Sequence, residues 1–155
     1  MAFRNDLLTG QKKEIEFTSV LNNKGWTTTT TADTIGKFSG YDVEAKLGTT
    51  TVTFEIKFDR MASWSGNVAL EMCRRGFNDK KIPSGLTTSA ADYYIFCIDN
   101  DASFYQIKLD HLKDLVREKK YHSGMWGGDF QQSGIVLFNR NFLLSQCEKI
   151  NEECG

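Results

Sequence analysis

Glu55, Ile56 and Lys57 form a polar–apolar–polar triplet within residues 51 to 58, a stretch otherwise rich in aromatic and β-branched side chains. That composition predicts a β-strand. Alternate side chains of a strand leave opposite faces, so Glu55 and Lys57 share one face while Ile56 packs on the other. The strand therefore offers an acid and an ammonium group side by side on a polar face.

Asp42 supplies a second carboxylate. It lies in residues 41 to 47, a predicted strand that would pair with the first around a turn near Gly48. Two carboxylates that converge in this way provide the hard oxygen ligands that Mg²⁺ prefers, and the Ile56 carbonyl is a further candidate ligand. Bound Mg²⁺ would polarise a phosphate oxygen and acidify a water, while Lys57 would orient that water or stabilise transition-state charge. A solvated strand face with a nearby turn aspartate is the alternative interpretation.

The rest of the pattern predicts the elements that position these residues. A helix over residues 6 to 24 ends at Gly25 and precedes a β-branched strand, Thr27 to Thr31. Tyr93 to Ile98 has the continuous apolar character of a buried strand. Asp59 to Leu86 is predicted to be irregular, with a short strand or helix near Val68 to Met72. Two further strands are predicted, from Phe104 to Ile107 and from Ile135 to Phe138, and a loop from Gly124 to Gly128. Two further helices are predicted, one containing Leu109, Leu112, Leu115 and Val116 and one from Asn141 to Ile150. This order predicts one α/β domain, residues 1–155, on a mixed sheet.

Bulk composition excludes several classes of protein. With 155 residues, 40% hydrophobic and 25% charged, the chain fits one compact globular domain. Its apolar runs are too short to span a bilayer and its N-terminus lacks a secretion signal, so we expect a cytoplasmic protein without membrane contact. A net charge of −1 argues against a purely electrostatic nucleic-acid binder. The cysteines are scattered and predict reduced thiols rather than a zinc site: Cys73, Cys97, Cys147 and Cys154.

Asp42, followed by Phe-Glu-Ile-Lys-Phe-Asp at 54 to 59, resembles the PD-(D/E)XK nuclease superfamily, which includes restriction endonucleases, archaeal Holliday-junction resolvases and many phage nucleases. The resemblance covers roughly residues 10 to 98, and Tyr41 replaces the proline of the pattern. It implies an α/β fold with a restriction-endonuclease-like αβββαβ core, in which helices flank a central mixed sheet. It also implies a Mg²⁺ ion, for which Mn²⁺ can substitute, on Asp42, Glu55 and the Ile56 carbonyl, with Lys57 as a catalytic residue.

The first predicted helix carries a further candidate for the catalytic site. Residues 14 to 26 are similar to the helix of junction-resolvase-like members that bears a metal-assisting glutamate. By that match Glu14 is the fourth catalytic residue. Glu16 competes with it, and a surface glutamate favoured by the helix dipole is the alternative to both.

Looser similarities to phage-type members surround Asn67 and Glu71. Glu71 would complete a second metal site or hold Lys57, unless it forms a surface ion pair. Asn67 would contact DNA or shape a turn. Basic side chains suited to phosphate contacts surround the predicted cleft, namely Lys12, Lys13, Arg60, Arg74 and Arg75. Trp64 and Trp126 would stack on unpaired bases, or be partly buried.

The resulting hypothesis is a metal-dependent DNA endonuclease, specific for branched or otherwise structured DNA and acting as a homodimer, as resolvase-like members do. An exonuclease or single-strand nuclease of recombination and repair is one alternative. A non-catalytic nucleic-acid-binding module on the same fold is another. The presence of all three of Asp42, Glu55 and Lys57 argues against the binding module.

Overall fold

The architecture is a pair of packed β-sheets, and the first helix covers the outer face of the larger sheet. It is given by a computed structural model that describes residues 2–30, 40–59, 62–99, 101–127 and 132–150, without the side chains of residues 2–9 and 77. The helices in these ranges are α1 (Ala2–Asn23), α2 (Ala62–Ser65), α3 (Leu109–Arg117) and α4 (Arg140–Ser145). The strands are β1 (Thr27–Thr30), β2 (Val43–Leu47), β3 (Thr50–Asp59), β4 (Asn67–Arg75), β5 (Lys81–Pro83), β6 (Tyr93–Ile98), β7 (Phe104–Lys108), β8 (Ser123–Gly127), β9 (Ser133–Asn139) and β10 (Glu148–Ile150). None of the described helices is long and apolar enough to cross a membrane.

The larger sheet is mixed. Its six strands follow the order β1-β2-β3-β6-β7-β10. β1, β2 and β3 form an antiparallel meander, whereas β3 and β6 run parallel from the pair Phe54 and Tyr93 to the pair Asp59 and Ile98. A parallel pair needs a crossover connection, and residues 60 to 92 supply it. The predicted order of one helix and three strands, followed by a crossover that contains α2 and a parallel strand, is confirmed.

Helix α1 covers one face of this sheet. Its buried residues Phe17, Val20 and Leu21 recur at helical spacing, as predicted. The Phe17 ring lies 5.1 Å from the ring of Phe54 on β3 and 5.3 Å from that of Phe104 on β7, both in edge-to-face geometry. The face of β3 that carries Phe54 is therefore occupied by α1, and Glu55 and Lys57 must leave from the other face.

The second sheet packs against that other face. Its four strands follow the order β5-β4-β9-β8. One core joins the two sheets and α3, and it contains Val68 and Leu70 from β4, Tyr94, Phe96 and Ile98 from β6, Leu112 from α3, and Val136 and Phe138 from β9. The crossover strand β4 is thus held by the same apolar contacts that fix β6 beside β3.

Three local predictions differ from the structure. The short strand or helix predicted near Val68 to Met72 is a strand, but β4 is longer than predicted, with nine residues, and the predicted loop from Gly124 is strand β8 as far as Gly127. Both strands pair with β9, a long-range partner that local composition does not reveal. The final helix ends at Ser145, and residues 148 to 150 form an edge strand against β7 instead. Within the described residues no disulfide joins Cys73, Cys97 and Cys147, and Cys154 lies outside these residues.

Candidate functional site

Asp42 directly precedes β2, beside the part of β3 that extends past that strand. β2 has five residues and β3 has ten, so the second half of β3 extends past its neighbour. The Asp42 backbone N–H donates to the Phe54 carbonyl at 2.9 Å, and its Oδ2 accepts from the Ile56 N–H at 2.8 Å. The carboxylate therefore replaces the next backbone carbonyl of β2, which fixes the side chain at the edge of β3.

The carbonyl of Ile56 faces the same edge. In a strand, the N–H and C=O of one residue point to the same side, and the N–H of Ile56 points to Asp42. No β2 residue lies opposite Ile56, because the β2–β3 register ends at the pair Val43 and Phe54. The predicted ligand carbonyl is therefore directed to the edge that Asp42 occupies.

Glu55 and Lys57 share the face opposite α1, as predicted. The Lys57 Nζ lies 3.4 Å from the Glu55 Oε1, and their side chains are 44% and 18% exposed. On the parallel strand β6, Tyr94 stands beside Glu55 and Phe96 beside Lys57. The acid is therefore largely enclosed by the core between the sheets, while the ammonium group reaches solvent.

The two carboxylates are electrostatically coupled. Burial raises the pKa of Glu55, the charge of Asp42 raises it further, and Lys57 partly offsets both effects. Burial also raises the pKa of Asp42, against the Ile56 hydrogen bond and the charge of Lys57. Mutual repulsion in a partly desolvated site disfavours two negative charges. A cation between the carboxylates would remove that cost.

The donor set suits a magnesium ion. Within the described ranges, no group of three or more His, Cys, Asp or Glu side chains is placed to share a metal ion. Asp42 and Glu55 offer two carboxylates, and the Ile56 carbonyl offers a third oxygen. Mg²⁺ usually retains several waters and binds through one or two carboxylates together with substrate phosphates. These oxygen ligands therefore fit Mg²⁺ and do not resemble a closed zinc site.

Gly40 positions Asp42 against the loop before β6. It has a φ of +77°, and its carbonyl accepts from the Ala90 N–H at 3.0 Å. A Cβ on Gly40 would lie 3.0 Å from the Ala90 Cβ and 3.2 Å from the Ala90 nitrogen. Any side chain here meets both a left-handed backbone and a backbone contact.

Gly40→Ala is therefore expected to lower the free energy of unfolding by about 1–3 kcal/mol and to slow any reaction that depends on Asp42. Denaturant titration and a DNA cleavage assay measure the two effects. Gly48→Ala is the matched control, because Gly48 also has a positive φ of +61° but a Cβ there meets no atom within 4 Å. Equal losses of activity in the two variants would contradict the positioning role of Gly40.

The predicted helix glutamate lies in a different environment. Glu14 is half-buried one turn before Phe17, on the helix that packs against the opposite face of the sheet. Its competitor Glu16 pairs with Lys13 at 3.2 Å, and the Lys13 Nζ lies 5.9 Å from the Phe104 ring centroid. The catalytic role of Glu14 and the phosphate-binding role of Lys13 stay predictions.

The accessory candidates Asn67 and Glu71 lie on β4. The Asn67 Oδ1 faces the His122 Nε2 at 2.7 Å, and the Asn67 N–H bonds to the Ser65 hydroxyl at 3.1 Å. The Glu71 Oε1 accepts from the Ser133 hydroxyl at 2.6 Å. In the described part of the chain, Glu71 is thus engaged with β9, while the partner of Lys57 is Glu55.

The basic and aromatic candidates divide between exposed and enclosed positions. Arg74 is exposed, whereas the guanidinium of Arg75 lies 4.2 Å from the ring centroid of Trp126, which is half-buried. Trp64 is 72% exposed, so the interpretation as a partly buried residue is wrong for it. Lys12 is exposed on α1, and Arg60 lies outside the described residues.

Asp59 and Tyr94 make two contacts near the site that are difficult to predict from the sequence. Asp59 ends β3, where its Oδ1 accepts from the Ala62 N–H at 2.9 Å and its Oδ2 from the Ala69 N–H at 3.4 Å. The position of this aspartate before a helical turn is the signal for a cap. Tyr94 stands beside Glu55 only because β6 is parallel to β3 in this register.

The architecture resembles that of a known endonuclease. The bacterial homing endonuclease I-Ssp6803I matches with a TM-score of 0.52 over 67% of this chain and 69% of that one, at 15% sequence identity. The chain has a nuclease-like fold. No family model matches it, and no curated protein matches it in sequence.

Proposed function

We propose that the protein is a metal-dependent DNA endonuclease whose catalytic centre contains Asp42, Glu55 and Lys57. One observation carries the proposal: two coupled, partly buried carboxylates meet at the edge of β3 beside a backbone carbonyl, with an ammonium group 3.4 Å from one of them. A purely structural ion pair does not need the second carboxylate, because repulsion from it destabilises the folded state.

Each residue has a distinct task in this proposal. Asp42, Glu55 and the Ile56 carbonyl would hold Mg²⁺ or Mn²⁺, which supplies electrophilic stabilisation of a phosphodiester and a more acidic water. Lys57, partly exposed beside Glu55, contacts the phosphate and stabilises the negative charge that develops on its oxygens. The Ile56 N–H holds Asp42 in place throughout.

Two observations support DNA as the substrate. The structural neighbour is a homing endonuclease. Trp64, exposed on α2 directly after β3, is suited to stacking on a base. The proposal includes specificity for branched DNA. It also includes a homodimer that cuts two strands symmetrically.

A cleavage assay tests the proposal. Purified protein is incubated with linear duplex, covalently closed circular DNA and a four-way junction, with Mg²⁺ or with EDTA. We expect cutting of the closed circle with Mg²⁺ and none with EDTA. Cutting of free ends alone would replace the endonuclease with an exonuclease. Binding without cleavage of any substrate would favour the non-catalytic module.

Lys57→Ala is expected to slow cleavage by about 100-fold while leaving metal affinity within a few-fold, because Lys57 acts on the phosphate and not on the ion. Single-turnover cleavage and Mn²⁺ titration measure the two quantities. Lys46→Ala is the matched control, since Lys46 is also a strand lysine paired with a carboxylate, Glu44, at 3.5 Å. Equal rates for the two variants would remove Lys57 from the centre.

A further inference from the structure

The hydroxyl of Tyr94 is buried without a hydrogen bond. Tyr94 is 1% exposed, and its hydroxyl has no partner within hydrogen-bond geometry in the part of the chain that the structure describes. A buried hydroxyl without a partner destabilises the folded state, so such groups are rare in folded proteins. A phenylalanine would fill the same space between the sheets without that cost, which points to a use for the hydroxyl.

The position of Tyr94 suggests what that use is. Tyr94 is the register partner of Glu55 on the adjacent parallel strand, and both side chains leave the face opposite α1. The charge of Glu55 acts on the Tyr94 hydroxyl more strongly than those of Asp42 and Glu71. Glu55 is therefore the carboxylate that the strand register places beside Tyr94.

The other groups around Tyr94 leave its hydroxyl available to Glu55. The Ser89 hydroxyl is close enough to interact with it, but Ser89 donates to the Gly40 carbonyl at 3.3 Å and its oxygen already accepts from the Ala91 N–H at 3.3 Å. Glu71 is engaged by the Ser133 hydroxyl at 2.6 Å. Glu55 is paired on one oxygen with Lys57, so its second oxygen can accept a donor.

We propose that Tyr94 is a positioning residue for Glu55: its hydroxyl donates a hydrogen bond to the Glu55 carboxylate when that carboxylate binds a divalent cation. This inference rests on the proposed function. Lys57 and Glu55 are paired in the structure, and Lys57 must be free to meet the phosphate. The Tyr94 hydroxyl then replaces the ammonium group as the donor that orients Glu55.

Tyr94→Phe tests the proposal, because it removes the hydroxyl and keeps the ring. We expect the Mn²⁺ dissociation constant, measured by calorimetry without DNA, to rise by about 10-fold or more, as is usual when a partner of a metal ligand is removed. The Tm without metal is expected to be unchanged or higher, because an unpaired buried hydroxyl is lost. A purely structural tyrosine would instead lose Tm and leave metal affinity unchanged.

Tyr93→Phe is the control, since Tyr93 lies on the other face of β6 and stacks on Phe54 at 5.8 Å. Wild-type Mn²⁺ affinity in Tyr94→Phe would overturn the inference. A different result would contradict the proposed function itself. The wild-type protein would then bind no Mn²⁺ at the site, and the Mn²⁺ titration of Glu55→Gln would be the same as that of the wild-type protein.

Discussion

Asp42→Asn is expected to reduce Mg²⁺-dependent DNA cleavage by about 1,000-fold or more with little loss of stability. The amide oxygen can still accept from the Ile56 N–H, now at 2.8 Å from Oδ2, so the edge of β3 keeps its hydrogen bond. The negative charge is lost, and with it a ligand for the ion. Several kcal/mol of transition-state stabilisation correspond to this change in rate. Single-turnover cleavage and denaturant titration give the two numbers.

Comparison with Asp42→Ala separates the role of the Asp42 charge from that of its hydrogen bond to the Ile56 N–H. The alanine variant removes the acceptor and leaves the Ile56 N–H without its partner, so we expect the same loss of activity together with a loss of about 1–3 kcal/mol of stability if water does not replace the acceptor.

Asp92→Asn is the matched control for Asp42→Asn. Asp92 also accepts from a backbone N–H of β3, that of Thr53 at 2.9 Å, but it lies nearer the start of the strand and is not a candidate ligand. It should leave the cleavage rate unchanged. Wild-type cleavage by Asp42→Asn, with Asp92→Asn also active, would refute the assignment of Asp42 as a metal ligand.

Glu55→Gln is expected to reduce cleavage to a similar degree and to remove the contribution of Glu55 to the pH dependence of stability. Burial and the charge of Asp42 raise the pKa of Glu55 in the folded protein above its ordinary value of 4.5, which it has in the unfolded chain. The folded state therefore binds more protons than the unfolded state between these two pKa values. Stability falls with rising pH wherever the folded state binds more protons. The contribution of Glu55 is thus favourable below its unfolded pKa and is lost as pH rises through its folded pKa.

Glutamine removes this titration. Without metal, Glu55→Gln should match or exceed the wild-type Tm near neutral pH, and the difference should shrink as pH falls to about 4. Added Mg²⁺ should raise the Tm of the wild-type protein more than that of the variant, because ligand binding stabilises the folded state. Thermal denaturation across this pH range provides the test.

Glu44→Gln is the corresponding control, because Glu44 is a β2 carboxylate paired with Lys46 at 3.5 Å and hydrogen-bonded by the Tyr41 hydroxyl at 3.3 Å. It should retain cleavage and the wild-type response to Mg²⁺. A wild-type Mg²⁺ response in Glu55→Gln would count against Glu55 as a ligand.

The alternation of polar and apolar residues in the sequence was enough to predict which face of β3 carries the candidate catalytic residues. Glu55 and Lys57 lie on one side of β3 and Ile56 on the other because side chains of any strand alternate, whatever the strand pairs with. The same reasoning found helix α1 with its apolar stripe, and the meander of β1, β2 and β3, whose strands are neighbours in sequence and joined by short or moderate connections.

Only the tertiary structure decided how these parts meet. The second sheet escaped prediction because β4 and β8 depend on β9, which lies far from β4 in sequence, and because glycines in β8 suggest a loop when read locally. The strand register decides that β2 begins at Val43, opposite Phe54, and this leaves the Asp42 carboxylate to accept from the Ile56 N–H. The burial of the Tyr94 hydroxyl beside Glu55 likewise follows from a parallel pairing across a long crossover. Local composition specifies side-chain direction, whereas contacts between distant segments depend on the free energy of packing the whole core.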